Sequence, residues 1–202
     1  MSVRVEWLTV GGPVEPWQRL GLTVVDGTVP LLGTGIRIDE SLEPGLRRWE
    51  LSGLDGSVTD IDGLSTVAVP PATPTLADHP SGAIGLDHVV VTTDSLERTS
   101  AAIAAATEAP LKRIREAGEL RQGFHRVGGG LIVEIVERTG LPVGPAWFWG
   151  LVLNVEDLDA AAANIGPDAI SEPRPAVQPG RSIATVAQGA GLGLPVALMS
   201  PG

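Results

Sequence analysis

Two residues have the type and surroundings to do chemistry. His88 sits in Leu86-Asp87-His88-Val89-Val90-Val91, and Glu134 in Leu131-Ile132-Val133-Glu134-Ile135-Val136, so each is a titratable group inside an apolar, β-branched run. If the two side chains meet, the imidazole and carboxylate can pass a proton in general acid–base work, hold one polar group of a ligand, or supply part of a metal site. A plain structural reading stands beside these. A histidine at the start of a strand is often a hydrogen-bonded core residue, and a glutamate between Val133 and Ile135 can alternate outward to solvent.

The elements that must position the pair lie between Gly85 and Glu137 and read β-α-β-β-β. After the first strand, Asp94 serves as N-cap of a helix with Glu97 as its reciprocal partner, and Leu96 and Ile103 mark the apolar stripe. Ala101 to Ala106 are strong helix formers, and Pro110 ends the run. Leu111–Ile114, Leu120–Val127 and Leu131–Val136 are the next strands, with Gly128-Gly129-Gly130 turning the chain before the last. The pattern then repeats. Trp149 to Leu158 falls on Asp87 to Leu96, Ile165 on Ile103, Arg181 to Val186 on Arg121 to Arg126, and Gly193 to Leu198 on Gly130 to Ile135.

Two tandem βαβββ units with a histidine in the first strand and a glutamate in the last resemble the vicinal oxygen chelate (VOC) superfamily, which includes glyoxalase I and the bleomycin-resistance proteins. The resemblance rests on Leu86 to Val91, Asp94-Ser95-Leu96, and Arg121 to Gly129 running into Val133-Glu134, and it covers about residues 85–200. It implies an α+β fold in which units 85–138 and 146–202 form one open-barrel, glyoxalase-like domain. It also implies four positions converging on a divalent metal: His88 and Glu134 from the first unit, Gly150 and Ala197 from the second. Only His88 and Glu134 can ligate, so the set is half complete unless His125, Asp87 or Glu6 fills in, and a divalent metal ion stays a candidate cofactor with no certain one.

With Glu134 facing inward, alternation turns Ile132 and Val136 inward too, and His88 likewise brings Val90 and Thr92. The resemblance adds Leu120, Gln122 and Phe124 to the wall, turns Arg121 and His125 away, and takes Val152, Asn154, Ser182, Ala184 and Met199 from the second unit. That composition suits a small-molecule cavity, or equally a filled core. The functional expectation is a glyoxalase-like protein that holds a small organic ligand and moves a proton next to a carbonyl, as an isomerase or lyase does. Glu134 would be the base, with His88 orienting it or polarising the substrate. The alternative is a non-catalytic binder, for sequestration or sensing, with a degenerate metal site.

The remaining 84 residues divide into a reduced βαβββ-like unit, 1–68, and a proline-rich linker, 69–84. In the reduced unit Val3–Val10, Leu22–Val25, Val29–Leu32, Gly35–Ile38 and Leu46–Leu51 are strand candidates, a helical turn fits at Trp17 to Gly21, and Glu6 falls where His88 sits. An odd number of units leaves one sheet edge unpaired, which predicts a homodimer. Trp147-Phe148-Trp149 is expected to pack across the barrel seam, and Gly166–Gly180, with four prolines, to form a long loop.

Composition narrows the partners. The 202 residues carry a net charge of −10, with 24 acidic against 14 basic side chains, so neither nucleic acid nor an anionic membrane is expected as a partner. The absence of cysteine excludes thiol nucleophiles and thiolate metal sites. No basic leader and no long apolar window are present, which predicts a cytoplasmic protein. Gly33-Thr34-Gly35 lacks the third glycine and the helix of a dinucleotide site, and no serine sits in a nucleophile elbow.

Overall fold

The computed structural model describes residues 2–72, 75–118, 120–128 and 130–201. Gly129 of the expected glycine turn, and Thr73 and Pro74 of the expected linker, lie outside the described residues. The first part of the chain forms β1 (Arg4–Gly11), α1 (Glu15–Arg19), β2 (Thr28–Val29), β3 (Gly35–Asp39), β4 (Gly45–Ser52), β5 (Asp60–Ile61) and β6 (Leu64–Ala68). Then come β7 (Ala83–Thr93), α2 (Leu96–Thr107), β8 (Arg113–Ala117), β9 (Leu120–Val127), β10 (Leu131–Arg138), β11 (Trp147–Val155), α3 (Leu158–Ile165), β12 (Arg174–Pro175), β13 (Ser182–Thr185) and β14 (Val196–Met199).

The later strands make one open, mixed sheet in the order β12-β13-β14-β11-β7-β10-β9-β8. At its centre β7 and β11 run antiparallel, with His88 opposite Val152 and Val90 opposite Gly150. This reciprocal register is what a local twofold between duplicated units requires: His88 corresponds to Gly150, and Val90 to Val152. Each central strand has its own parallel neighbour, β10 beside β7 and β14 beside β11. The duplication in the sequence is therefore a duplication in space.

The first sheet repeats the same plan on a smaller scale, in the order β2-β3-β1-β4-β6-β5. There β1 and β4 are antiparallel, β3 runs parallel to β1, and β6 parallel to β4. The stretch 1–68, expected as one reduced unit, divides in its strand pairing into β1 to β3 and a helix-free β4 to β6. With four units the odd-number argument for a homodimer no longer applies. The Leu22–Val25 strand is not formed; only Val25 makes a bridge, to Thr28.

One apolar core joins both sheets. Val89, Val91, Val133, Ile135 and Leu153 leave the far side of the large sheet to join Leu8, Val10, Trp49 and Leu51 of the small one, all buried. Phe148 meets Trp49 edge-on at 5.5 Å across this seam, while Trp147 and Trp149 beside it are exposed. Within the expected linker, residues 75–82 are tied to the small sheet's loops by hydrogen bonds at His79 and Ser81. The Thr23 N–H donates to His79 Nδ1 at 3.0 Å, His79 Nε2 donates to the Pro30 carbonyl at 2.9 Å, and the Ser81 N–H donates to the Gly21 carbonyl at 2.9 Å.

The capping expectation for α2 shifts by one residue. Ser95, in extended conformation, caps by accepting from the Arg98 N–H, and the Leu96 N–H donates to Glu137 at 2.7 Å. Because β7 runs to Thr93, Asp94 falls before the cap, and it pairs with Arg98 at 2.9 Å. Leu96 and Ile103 are fully buried as the stripe requires. Each contributes about 2 kcal/mol by leaving water. In α3, Asp157 is the cap, accepting from the Ala160 N–H at 2.9 Å.

Candidate active site

Strand register fixes which side chains share the concave face. Glu134 lies opposite Phe124 and Val136 opposite Gln122 on β9, while Ile132 lies beside His88 and Glu134 beside Val90 on β7. These even-numbered positions face a cleft with two lobes of about 500 and 290 Å³. His88, Gln122, Glu134 and Ile183 border both lobes. Phe124, Ile132 and Met199 line the larger, and Val90, Thr92, Leu120, Val136 and Val152 the smaller. The face is hollow rather than filled. On the other side, His125 meets Ser100 Oγ at 2.9 Å and the Ala109 carbonyl at 2.8 Å, and Arg121 pairs with Glu97 and Glu137.

A bulge brings the candidate groups together at the junction. Consecutive strand residues normally point to opposite faces, but the pairing of β7 with β11 steps from His88 to Leu86 while β11 advances only from Val152 to Leu153. Asp87 is the extra residue, and the local kink lets its carboxylate reach the neighbouring ring. His88 Nδ1 lies 2.8 Å from Asp87 Oδ2, and Nε2 lies 3.3 Å from Glu134 Oε2. Gln122 Nε2 donates to Glu134 Oε1 at 2.6 Å. Arg181 completes the set by donating to Asp87 Oδ1 at 2.8 Å.

The protonation logic follows from Asp87. Burial pushes its carboxyl up, but hydrogen bonds from His88 and Arg181 and the charges of both outweigh this and bring the pKa down to about 2. Asp87 is therefore an acceptor at neutral pH, and His88 must carry its proton on Nδ1. Nε2 then faces Glu134 Oε2 at 3.3 Å, a geometry in which a ring N–H and a carboxylate oxygen can meet as donor and acceptor. Two buried acceptors beside them, Gln122 Oε1 and Thr92 Oγ1, have no hydrogen-bond partner. A buried unpaired polar atom is costly, and both belong to residues that line the smaller lobe.

Three second-unit residues stand elsewhere than expected. Ile183 pairs with Met199, so Ile183 and Thr185 face the cleft while Ser182 and Ala184 turn away, and Ala184 joins the core. The strand follows the long Gly166–Gly180 loop, which carries no period-2 signal to fix its register, and a slip of one residue exchanges the faces. Asn154 lines neither lobe; its Oδ1 accepts from Arg181 Nη2 at 2.5 Å. Arg181 was not singled out by sequence reasoning. The signal that could have found it is the acidic residue next to His88, which needs a cation if it is buried.

No protein-family model matches the sequence, and no curated protein matches it. Solved structures do. Methylmalonyl-CoA epimerase from Mycobacterium tuberculosis superposes with a TM-score of 0.52 at 17% identity, covering 63% of this chain and 93% of its own. A triple variant of 4-hydroxymandelate synthase from Streptomyces coelicolor superposes with a TM-score of 0.69 at 12% identity, over 99% of this chain and 93% of its own. Both proteins are VOC superfamily members. This chain has the vicinal oxygen chelate fold. The alignment over nearly the whole length includes the small sheet, in keeping with the four units seen in the topology.

The VOC metal positions can be tested against this chain's side chains. Gly150 and Ala197 offer no donor, and a Cβ built on Gly150 would lie 2.5 Å from the Pro195 carbonyl oxygen, so that position has no room for a ligating side chain. His125 is turned to the opposite face, Glu6 belongs to the small sheet, and Asp87 is held between His88 and Arg181. Among the described residues no cluster of three or more metal-ligating groups exists. One imidazole nitrogen and one carboxylate, already in contact with each other, do not fit a tightly held divalent ion. Among the described residues no helix is long and apolar enough to cross a membrane.

Proposed function

We propose that the cleft in the 85–202 region binds a small organic molecule bearing a carbonyl group and moves a proton at the adjacent carbon, an isomerase- or lyase-type reaction. The observation that carries this reading is the 3.3 Å contact of His88 Nε2 with Glu134 Oε2 at the junction of the two lobes. Each of these side chains keeps 13% of its surface open, enough for a ligand to touch. Glu134, as carboxylate, takes the proton from carbon. The C–H electron pair becomes the enolate double bond, and the carbonyl pair moves onto oxygen. Protonated His88 donates from Nε2 to that oxygen, with Nδ1 held by ionised Asp87. Delivery of a proton to the opposite face of that carbon, or, for an α-hydroxy carbonyl, to the former carbonyl carbon, gives the isomer; expulsion of a β-substituent, which leaves with its bonding pair as the enolate collapses, gives the lyase product.

The test is deuterium incorporation in D₂O at the carbon next to the carbonyl, followed by proton NMR across a panel of 2-oxo acids and α-branched acyl compounds. Exchange by the native chain, lowered about 10²- to 10⁴-fold by Glu134→Gln with unchanged melting, supports the reading. Exchange that survives the substitution refutes it. The loss of donors at Gly150 and Ala197 favours a second reading, a binder without turnover that sequesters or senses its ligand. A compound that raises the melting temperature saturably through this cleft and exchanges no hydrogen would support that instead.

A further inference from the structure

The larger lobe is lined by Lys112, Arg113, Arg115, Arg126 and Arg174. Those are five of the chain's 14 basic residues, gathered at one cavity of a protein whose net charge is −10. Register shows that most of them point into the cleft. Arg113 lies opposite Phe124 and Arg115 opposite Gln122, Arg126 opposite Ile132, and Arg174 opposite Ile183, each pairing with a residue of the concave face. The cations come from both ends of the sheet, β8 and β9 on one side and β12 on the other, so they meet across the mouth.

None of the five has a counter-ion among the described residues, and neither does Arg138 of β10, whereas Arg121 on β9, Arg98 on α2 and Arg181 just ahead of β13 each face a carboxylate. The five have neighbours of another kind: the Arg113 guanidinium stacks over Phe124 at 5.9 Å, and Arg126 donates to the Gly130 carbonyl at 3.2 Å. Among the described residues Glu134 is the one carboxylate lining the lobe, and it lies at the junction, bonded to Gln122 and in contact with His88. Arg115 is half-buried and the other four are exposed at the rim; like charges gathered around one concave mouth repel one another, and an anion relieves that repulsion. Guanidinium groups match carboxylate and phosphate oxygens in pairs.

We propose that the ligand of this cleft is a small organic anion whose carboxylate or phosphate group is held by the arginines of β8, β9 and β12 while its other end reaches His88 and Glu134. The inference rests on the proton-transfer reading only for what happens at that far end. A lobe of about 500 Å³ suits a metabolite and is far too small for a polyanionic macromolecule. The long-range attraction also has a purpose in an acidic protein: the general surface potential repels an anion, and the mouth is the place where the sign reverses.

The test is calorimetric titration of the full chain with citrate, with pyrophosphate and with uncharged glycerol, all at one fixed ionic strength. The expected result is saturable binding of citrate, pyrophosphate or both, and none of glycerol. The preferred anion shows whether the site is built for carboxylate or phosphate. Arg113→Gln and Arg174→Gln should each weaken binding about tenfold, whereas Arg47→Gln, on the small sheet, should not change it. Circular dichroism melts check that the variants fold. Absence of binding by both anions, or equal binding by the native chain and the Arg113→Gln/Arg174→Gln double variant, overturns the proposal. Calorimetry reads binding without turnover, so anion binding by a chain that exchanges no hydrogen in D₂O tells failure of the proton-transfer reading apart from failure of this one.

Discussion

Arg181 and Asp87 stand 94 residues apart in the chain, and Nη1 of one lies 2.8 Å from Oδ1 of the other. The same guanidinium donates from Nε to the Ser200 carbonyl at 2.8 Å and from Nη2 to Asn154 Oδ1 at 2.5 Å. The second unit carries Gly150 and Ala197 at the positions matching His88 and Glu134. What it contributes is a fixed cation that holds Asp87, and through Asp87 the ring of His88. The two halves of the duplicated sheet therefore differ: the candidate groups stand on one, and the contact that orients them comes from the other.

Removing that cation should be costly. Arg181→Leu leaves a nearly buried carboxylate at Asp87 and an unpaired amide at Asn154, and urea denaturation should show a loss of about 3 kcal/mol. Adding Asp87→Asn to Arg181→Leu should recover part of that loss, because the uncompensated charge is then gone. Strict additivity of the two single changes would show that the pair does not interact.

Acid should destabilise the chain in two stages. His125 is held below its ordinary value of 6.5, chiefly by burial, against the opposing pull of the Ala109 carbonyl. Its folded form resists protonation, so the unfolded chain binds more protons below that value, and stability falls as pH drops through this range. Asp87, lowered to about 2, stabilises the fold fully above about 4 and loses that contribution as pH falls toward 2. Thermal melts from pH 8 to pH 3 should show both. In a His125→Gln variant the change between pH 7 and pH 5 should flatten while the one below pH 4 persists.

Gln122 should matter to rate more than to folding. Its amide holds Glu134 Oε1 at 2.6 Å, and its own Oε1 has no partner. Gln122→Leu removes a hydrogen bond to a charged acceptor, worth about 1.5 kcal/mol, so exchange of the ligand's hydrogen in D₂O should slow about tenfold. Gln122→Glu should slow it more, by placing a second carboxylate against Glu134.

How far the sequence could be read depended on strand length. β7, β9 and β10 have eight residues or more; alternation alone put Val90 and Thr92 with His88 and Ile132 and Val136 with Glu134, while the family resemblance was needed to set Gln122 and Phe124 on that face and Arg121 and His125 behind it. β13 has four residues after a proline-rich loop, and there Ser182 took the place that belongs to Ile183. β5 and β6 were hidden for a similar reason: two and five residues with no helix before them gave no unit-like pattern, so the fourth unit went unseen. The cationic lip was written in β8, where Arg113 and Arg115 flank exposed Ile114. On an edge strand such a pattern reads as two solvated charges until the partner strand shows which face is concave.

Gly150 explains why the second unit holds no donor at the position matching His88. It lies opposite Val90, and the Leu151 N–H donates to the Pro195 carbonyl at 3.1 Å, which brings the β14 side close against the glycine. An added Cβ would stand 2.5 Å from that carbonyl oxygen and 3.1 Å from Pro195 Cβ. Since the obstacle is backbone, no side-chain rotation relieves it, and Gly150→Ala should cost about 1–3 kcal/mol in urea denaturation. Gly130→Ala is the control, because nothing lies within 4 Å of its Cβ, and it should leave stability within about 1 kcal/mol of the native chain. Gly150→His would meet the same carbonyl before its ring could approach Glu134. Zinc or nickel titrated into that variant should therefore bind no more tightly than into the native chain, and a tight stoichiometric site would show that β11 yields where the geometry says it cannot.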